Sequence, residues 1–173
     1  MNFDNKIEID KIQVLKLFME HEKERKELDC FAIEIIGKLC NANHLKYHKC
    51  TITSNGLTNI VLPWHCHCNI DLIPKGGLKM MESIKKFREK ANQNPEAICI
   101  RKVLDMYNQI EKDFDYSFLL LSNDNEAVHA GHYNNHEGSP LYIANGFHRL
   151  LAVGLHYAEK NIFKSFEIYY AQK

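Results

Sequence analysis

Pro140-Leu141-Tyr142-Ile143-Ala144-Asn145-Gly146-Phe147-His148-Arg149-Leu150-Leu151 is the stretch that decides how this chain is read. The apolar run from Pro140 to Ala144 reads as a strand. It stops at Asn145-Gly146, a turn dipeptide. A helical pattern begins at once, through Leu150, Leu151, Leu155 and Ala158, and predicts a helix over 147–160. Phe163 to Tyr170 then reads as another strand. Strand, helix and strand in that order fit a βαβ unit.

A glycine at a strand-to-helix turn is a good place to hold a phosphate. Glycine lets the backbone approach closely. The first amides of a helix have no internal partners, and the helix dipole is positive there. His148 and Arg149 fall in the first helical turn. Arginine can grip two oxygens at once, and histidine can donate a hydrogen bond or a proton. The same residues also read as a common Asn-Gly turn, followed by an exposed arginine and a histidine capping a strand end.

Working outward, Ile9 to about Leu45 has helical spacing, with Cys40-Asn-Ala-Asn-His44 as its stop. The charge run Glu20 to Leu28 reads as a solvated face or helix junction. Tyr47 to Thr53 and Asn59 to Pro63 are strand-like, separated by the Ser54-Asn55-Gly56 turn. Ile70 to Ile73 is a short apolar run ended by Pro74-Lys75-Gly76-Gly77. Leu78 to Ala91 reads as a helix, Ala97 to Val103 as a strand and Leu104 to Ile110 as a helix. Phe118 to Leu121 is an apolar strand, Ser122 to Asn125 a turn, and Glu126 to His132 its paired strand. These elements predict an α/β (α+β) fold: a small mixed β-sheet with flanking helices over 46–173, preceded by an N-terminal helical segment over 1–45.

Composition narrows the classes. A hydrophobic share of 45% and a charged share of 25% suit an ordinary globule. Twenty-two basic residues balance 22 acidic ones, which argues against a dedicated non-specific DNA binder. No segment approaches the ~18 uninterrupted apolar residues of a membrane span, and the start is too polar for a signal peptide. The six cysteines, without a secretory signal, then suggest free thiols in a reducing, cytoplasmic setting. Cys30 and Cys40 fall in a helical pattern, Cys50 and Cys99 in apparent strands, and all four read as packing residues.

Two further constellations carry chemistry. His129, His132, His136 and Glu137 form a dense polar stretch ahead of the motif strand. Imidazoles at that density suit a transition metal, and a histidine or Glu137 there could serve a proton transfer beside the turn. In Trp64-His65-Cys66-His67-Cys68 a period of two places both histidines on one face and both cysteines on the other. Two ligands do not make a site, so these would need partners from His129 to His136. The spacings match no closed zinc motif, and no metal ligand is assigned from sequence. Lys75 in the Lys-Gly-Gly turn could reach a nucleotide, although the Walker spacing is absent. Asp71, Glu82 and Glu96 are candidate carboxylates for a base or for Mg²⁺.

Asn145-Gly146-Phe147-His148-Arg149 resembles the Asp-Gly-x-His-Arg signature of the ParB/sulfiredoxin superfamily. The upstream order of Asp71-Leu-Ile-Pro, the helix Met80 to Phe87 and a strand at Ala97 to Ile100 is similar to that superfamily's, so the resemblance spans roughly 60–173. It implies nucleotide binding, with Gly146 approaching phosphates and His148 and Arg149 contacting them. Phe147 stands where sulfiredoxin has its reactive cysteine, so that chemistry is not implied. His148 stands where the partition proteins have arginine, and no helix-turn-helix follows, which disfavours a partition role.

The expectation from sequence is therefore an enzyme that binds a nucleotide, ATP with Mg²⁺, and transfers or hydrolyses a phosphoryl group. Asn145, Gly146, His148, Arg149 and Lys75 would bind the cofactor; His148, His136 and Glu137 would be catalytic. A small-molecule or protein substrate is the expected partner, ahead of nucleic acid and without a membrane. The alternatives are a non-catalytic nucleotide- or protein-binding module and a metal-dependent hydrolase or nuclease using the His129–His136 loop.

Overall fold

The computed structural model describes residues 1–24, 30–65, 70–129 and 133–173. The elements run β1 (Phe3–Ile9), α1 (Lys11–Glu24), α2 (Cys30–Asn41), β2 (Lys46–Ile52), α3 (Ser54–Thr58), β3 (Ile60–Leu62), β4 (Leu78–Lys79), α4 (Met80–Gln93), α5 (Ile98–Gln109), β5 (Leu120–Ser122), α6 (Asn125–His129), β6 (Leu141–Asn145), α7 (Phe147–Lys160) and β7 (Phe166–Gln172). The strands form one mixed sheet in the order β1-β2-β7-β5-β6-β3-β4. Two pairs are parallel, β3 with β6 and β5 with β7. The α+β class expected from the sequence is the one found.

The sheet is covered on both faces, and the strand period of two deals its residues between them. In β6, Leu141 and Ile143 enter one core with Leu150, Leu151 and Leu155 of α7 and Phe87 of α4. Tyr142 and Ala144 enter the other, with Val14 and Phe18 of α1 and Leu39 of α2. A helix with two buried leucines in its first turns is therefore anchored before any polar contact is counted. Each such side chain stabilises by about 1.5–3 kcal/mol on burial.

Several elements differ from the sequence expectation. The first nine residues hold a strand, not a helix lead-in: β1 pairs antiparallel with β2 at the sheet edge. Its signal is faint because most of its residues are exposed and a register shift between Asp4 and Ile7, at the positive-φ Asn5, breaks the alternation. The N-terminal segment is thus one strand of the common sheet plus two helices on one of its faces.

Ala97 to Val103 is not a strand but the N-cap and first turns of α5. Ile98 is 63% exposed, while Cys99, Ile100 and Val103 are buried on one helical face. Glu126 to His132 is not a paired strand in its described part either. Asp124 Oδ1 accepts from the Glu126 amide at 3.1 Å and starts the short helix α6. The Ser54-Asn55-Gly56 turn is one turn of helix, α3.

The unit β6–α7–β7 is not a parallel βαβ. β5 lies between its strands, antiparallel to β6 and parallel to β7. The direction of β7 is set by its long antiparallel ladder with β2, from Lys46↔Gln172 to Ile52↔Phe166. That pairing is non-local and leaves no trace in the order of elements. Cys50 packs in the core as expected, whereas Cys40 is exposed.

Candidate functional site

Gly146 is the N-cap of α7 and holds φ +103°, ψ +22°. That left-handed conformation favours glycine. A Cβ at this position would also lie 2.2 Å from Leu119 Cδ2. The turn read from sequence is therefore present, and it forces α7 to start at Phe147. The next two residues go separate ways.

Arg149 turns inward and is 8% exposed. Its Nη2 donates to the Phe118 carbonyl at 2.7 Å and to Asn145 Oδ1 at 3.0 Å, and lies 3.2 Å from His21 Nε2. Its Nη1 donates to Ser117 Oγ at 3.2 Å, with the Asp115 carboxylate 3.9 Å away. Asn145 is buried as well, and its Nδ2 donates to Glu22 Oε1 at 2.7 Å. The arginine and asparagine expected to hold phosphate thus bind protein acceptors. Arg149 joins the end of β6, the approach to β5 and α1.

His148 faces a different group. One ligand atom each from His65, Cys99 and His148 lie within 4.8 Å of one another. His65 Nε2 is 3.4 Å from Cys99 Sγ. The His65 ring stacks on Phe147 at 4.2 Å and 17°, and meets His148 edge-on at 5.1 Å. Cys99 is buried, and both histidines are half-buried.

Each member is placed by backbone structure. His65 follows β3, where its amide donates to the Ile73 carbonyl at 3.0 Å and its carbonyl accepts from Leu72 at 2.9 Å. Cys99 is in the first turn of α5 and His148 in the first turn of α7. Since β3 and β6 are parallel, His65 and His148 both lie beyond the carboxyl ends of a parallel strand pair. In open α/β sheets, ligands bind in the crevice beyond the carboxyl ends of strands.

The group fits a transition metal. Zn²⁺ bonds histidine nitrogen at ~2.0–2.1 Å and thiolate at ~2.3 Å. Tetrahedral donors at those lengths sit roughly 3.3–3.8 Å apart, and the His65–Cys99 separation falls in that range. The other two separations are within 4.8 Å. Two imidazoles and one thiolate suit zinc, or copper in a trigonal site.

The other residues singled out from sequence lie elsewhere. His136 Nε2 donates to the Gly76 carbonyl at 3.0 Å, and Lys79 Nζ donates to the Glu137 carbonyl at 3.2 Å. His136 and Glu137 therefore border the Lys75–Lys79 turn. Lys75 itself is exposed, its Nζ 5.1 Å from the centre of the Trp64 ring. Asp71, Glu82 and Glu96 are exposed, and Asp71 accepts from Trp64 Nε1 at 3.3 Å. Cys66, His67, Cys68 and His132, with the side chain of His129, lie outside the described residues. The sequence reading asked the Trp64–Cys68 stretch for partners from His129 to His136. The partners that His65 has are Cys99, read from sequence as packing, and His148.

The model of DUF6309, a family of unknown function, matches residues 1–171, and the chain belongs to that family. Neither a curated protein nor a solved structure matches it.

Proposed function

We propose that this protein is a metal-dependent enzyme of the hydrolytic class, with a divalent ion of the zinc type held by His65, Cys99 and His148. The observation that carries the reading is the convergence of those three ligand atoms within 4.8 Å from three distant segments. Location supports catalysis over a purely structural role. The group lies beyond the carboxyl ends of β3 and β6. A zinc ion at such a centre supplies a water activated near neutral pH.

The protein's own part is to fix the ligands. The backbone bridge to Ile73 and the stack on Phe147 hold His65. Cys99 is held in place by its position in the first turn of α5. The test is metal content in protein purified without a histidine tag, followed by Co²⁺ substitution. We expect one equivalent of metal, a thiolate-to-cobalt charge-transfer band, and loss of both in Cys99→Ser. Bands that shift on adding small anions would mark an exchangeable position. Bands that do not shift would assign the ion a structural role, and metal-free wild-type protein sinks the proposal.

A second reading rests on the 3.4 Å approach of His65 Nε2 to Cys99 Sγ. Without metal, that pair is a thiol with an adjacent base in a first helical turn, an arrangement that activates a nucleophile. Alkylation separates the two: a metal protects Cys99 until a chelator is added, whereas an activated thiol reacts at once. The nucleotide and phosphoryl-transfer proposal has less support, because Arg149 and Asn145 already bind protein groups. An ATP and Mg²⁺ thermal-shift titration tests it directly.

A further inference from the structure

Glu22 is a carboxylate at the far end of α1, yet it is only 1% exposed. Burying a carboxylate is unfavourable unless hydrogen bonds compensate, so its partners show what it does. Its Oε1 accepts from Asn145 Nδ2 at 2.7 Å. That bond orients the Asn145 amide, whose Oδ1 then accepts from Arg149 Nη2 at 3.0 Å. Asn145 is the residue before Gly146, and Arg149 shares the first turn of α7 with His148. α1 packs in the core on one face of the sheet and α7 in the core on the other. The chain Glu22–Asn145–Arg149 therefore joins the two layers at the turn that presents His148.

We infer that Glu22 is a positioning residue for the metal centre. By fixing Asn145 it sets the orientation of the first turn of α7, and with it the reach of His148 towards His65 and Cys99. The inference rests on the metal reading proposed above. Groups hydrogen-bonded to a metal ligand typically cost about 10–100-fold in metal affinity when removed, and Glu22 stands further back, so a smaller loss is expected.

The experiment compares full-length wild type, Glu22→Ala, Glu22→Gln and Val14→Ala. Val14 is fully buried on the same helix and belongs to the apolar core, so its variant controls for general loosening of α1. Metal-free proteins are titrated with Co²⁺, and amide hydrogen exchange is followed over 147–151. We expect Glu22→Ala to bind Co²⁺ several-fold more weakly, short of the ~10–100-fold of a direct partner of a ligand, and to exchange faster over those amides. Glu22→Gln keeps an acceptor for Asn145 and should stay close to wild type. Val14→Ala should lose stability while keeping its Co²⁺ affinity.

Wild-type affinity in a folded Glu22→Ala overturns the inference, as does an equal loss in Val14→Ala. If wild type itself fails to bind Co²⁺, the metal reading falls. Unchanged exchange over 147–151 in Glu22→Ala would separately overturn the positioning role.

Discussion

His148 and Arg149 are neighbours on one helical turn, and both are expected from sequence to contact phosphate. The fold turns them into different surroundings. Arg149 is buried against the Phe118 carbonyl, Ser117, Asn145 and His21. His148 joins His65 and Cys99 at the half-buried end of the β3–β6 pair. Arginine is chemically the better phosphate ligand, with a planar fork of donors. Its donors here meet protein acceptors, and each bond to a charged donor stabilises by about 1.5–3 kcal/mol. A motif's chemistry is thus decided by which side chains the fold turns outward.

The largest expected effect comes from breaking the Arg149 side. Arg149→Ala leaves Asn145 Oδ1, Ser117 Oγ and the Phe118 carbonyl with fewer partners. Each buried acceptor left short of a partner costs about 1–3 kcal/mol, so with three affected, urea denaturation should report a loss of roughly 3–5 kcal/mol. A variant as stable as wild type would return Arg149 to the list of ligand contacts. Next comes the hinge between the two residues. Gly146→Ala adds a methyl 2.2 Å from Leu119 Cδ2 at φ +103°. Left-handed strain of ~1–2 kcal/mol and overpacking of ~1–3 kcal/mol predict a loss of roughly 2–4 kcal/mol. A loss under about 0.5 kcal/mol would mean that the turn relaxes freely. His148→Ala tests the other side of the comparison. Its stability cost should stay near the ~1 kcal/mol of an average substitution, while the bound metal is lost. Retained metal in His148→Ala would remove it from the centre.

Local pattern carried the turn, α7 and β6, because each is written in adjacent residues: an apolar run, Asn145-Gly146, then leucines at helical spacing. It failed where partners are distant. Cys99 looked like a strand packing residue because Ile98, Cys99 and Ile100 are β-formers in a row. Their helical period shows only when Val103 is added and Ile98 is seen to be exposed. Glu22 sat in a charge run and read as solvated, and nothing near it in sequence says that Asn145 awaits it. The metal-like group is invisible for the same reason: His65, Cys99 and His148 meet only once β3 and β6 are parallel neighbours. Of the Trp64–Cys68 stretch, His65 lies near Cys99 and His148, whereas the partners expected for it are the residues from His129 to His136.

The smallest effect should appear in acid, and it separates the Arg149 side from the cleft between α2 and α6. Asp115 lies beside Arg149, while Asp124 lies by His44 and Lys173 in an open cleft of about 890 Å³ between α2 and α6. Burial, the largest influence on each carboxyl, pushes its pKa up. For Asp115 the Ser117 hydroxyl and amide and the Arg149 and His21 charges together outweigh it. For Asp124 the His44 bond at 2.9 Å, the Lys173 charge and the amides of Glu126 and Ala127 do the same. Both carboxyls end below their ordinary range, near ~3.9. With the folded pKa depressed, the unfolded chain takes up protons first as pH falls. The stabilisation is therefore complete above ~pH 5 and fades as pH drops below ~4 through the folded values. Urea midpoints measured from pH 7 to pH 3 should place Asp124→Asn below wild type at neutral pH, with the gap closing in acid. The residual acid sensitivity of that variant is shared by Asp115, Glu89 and Glu111, whose carboxyls are also held low, and Asp115→Asn should reduce it. A gap that stays constant with pH would mean that Asp124 acts through shape and not through charge.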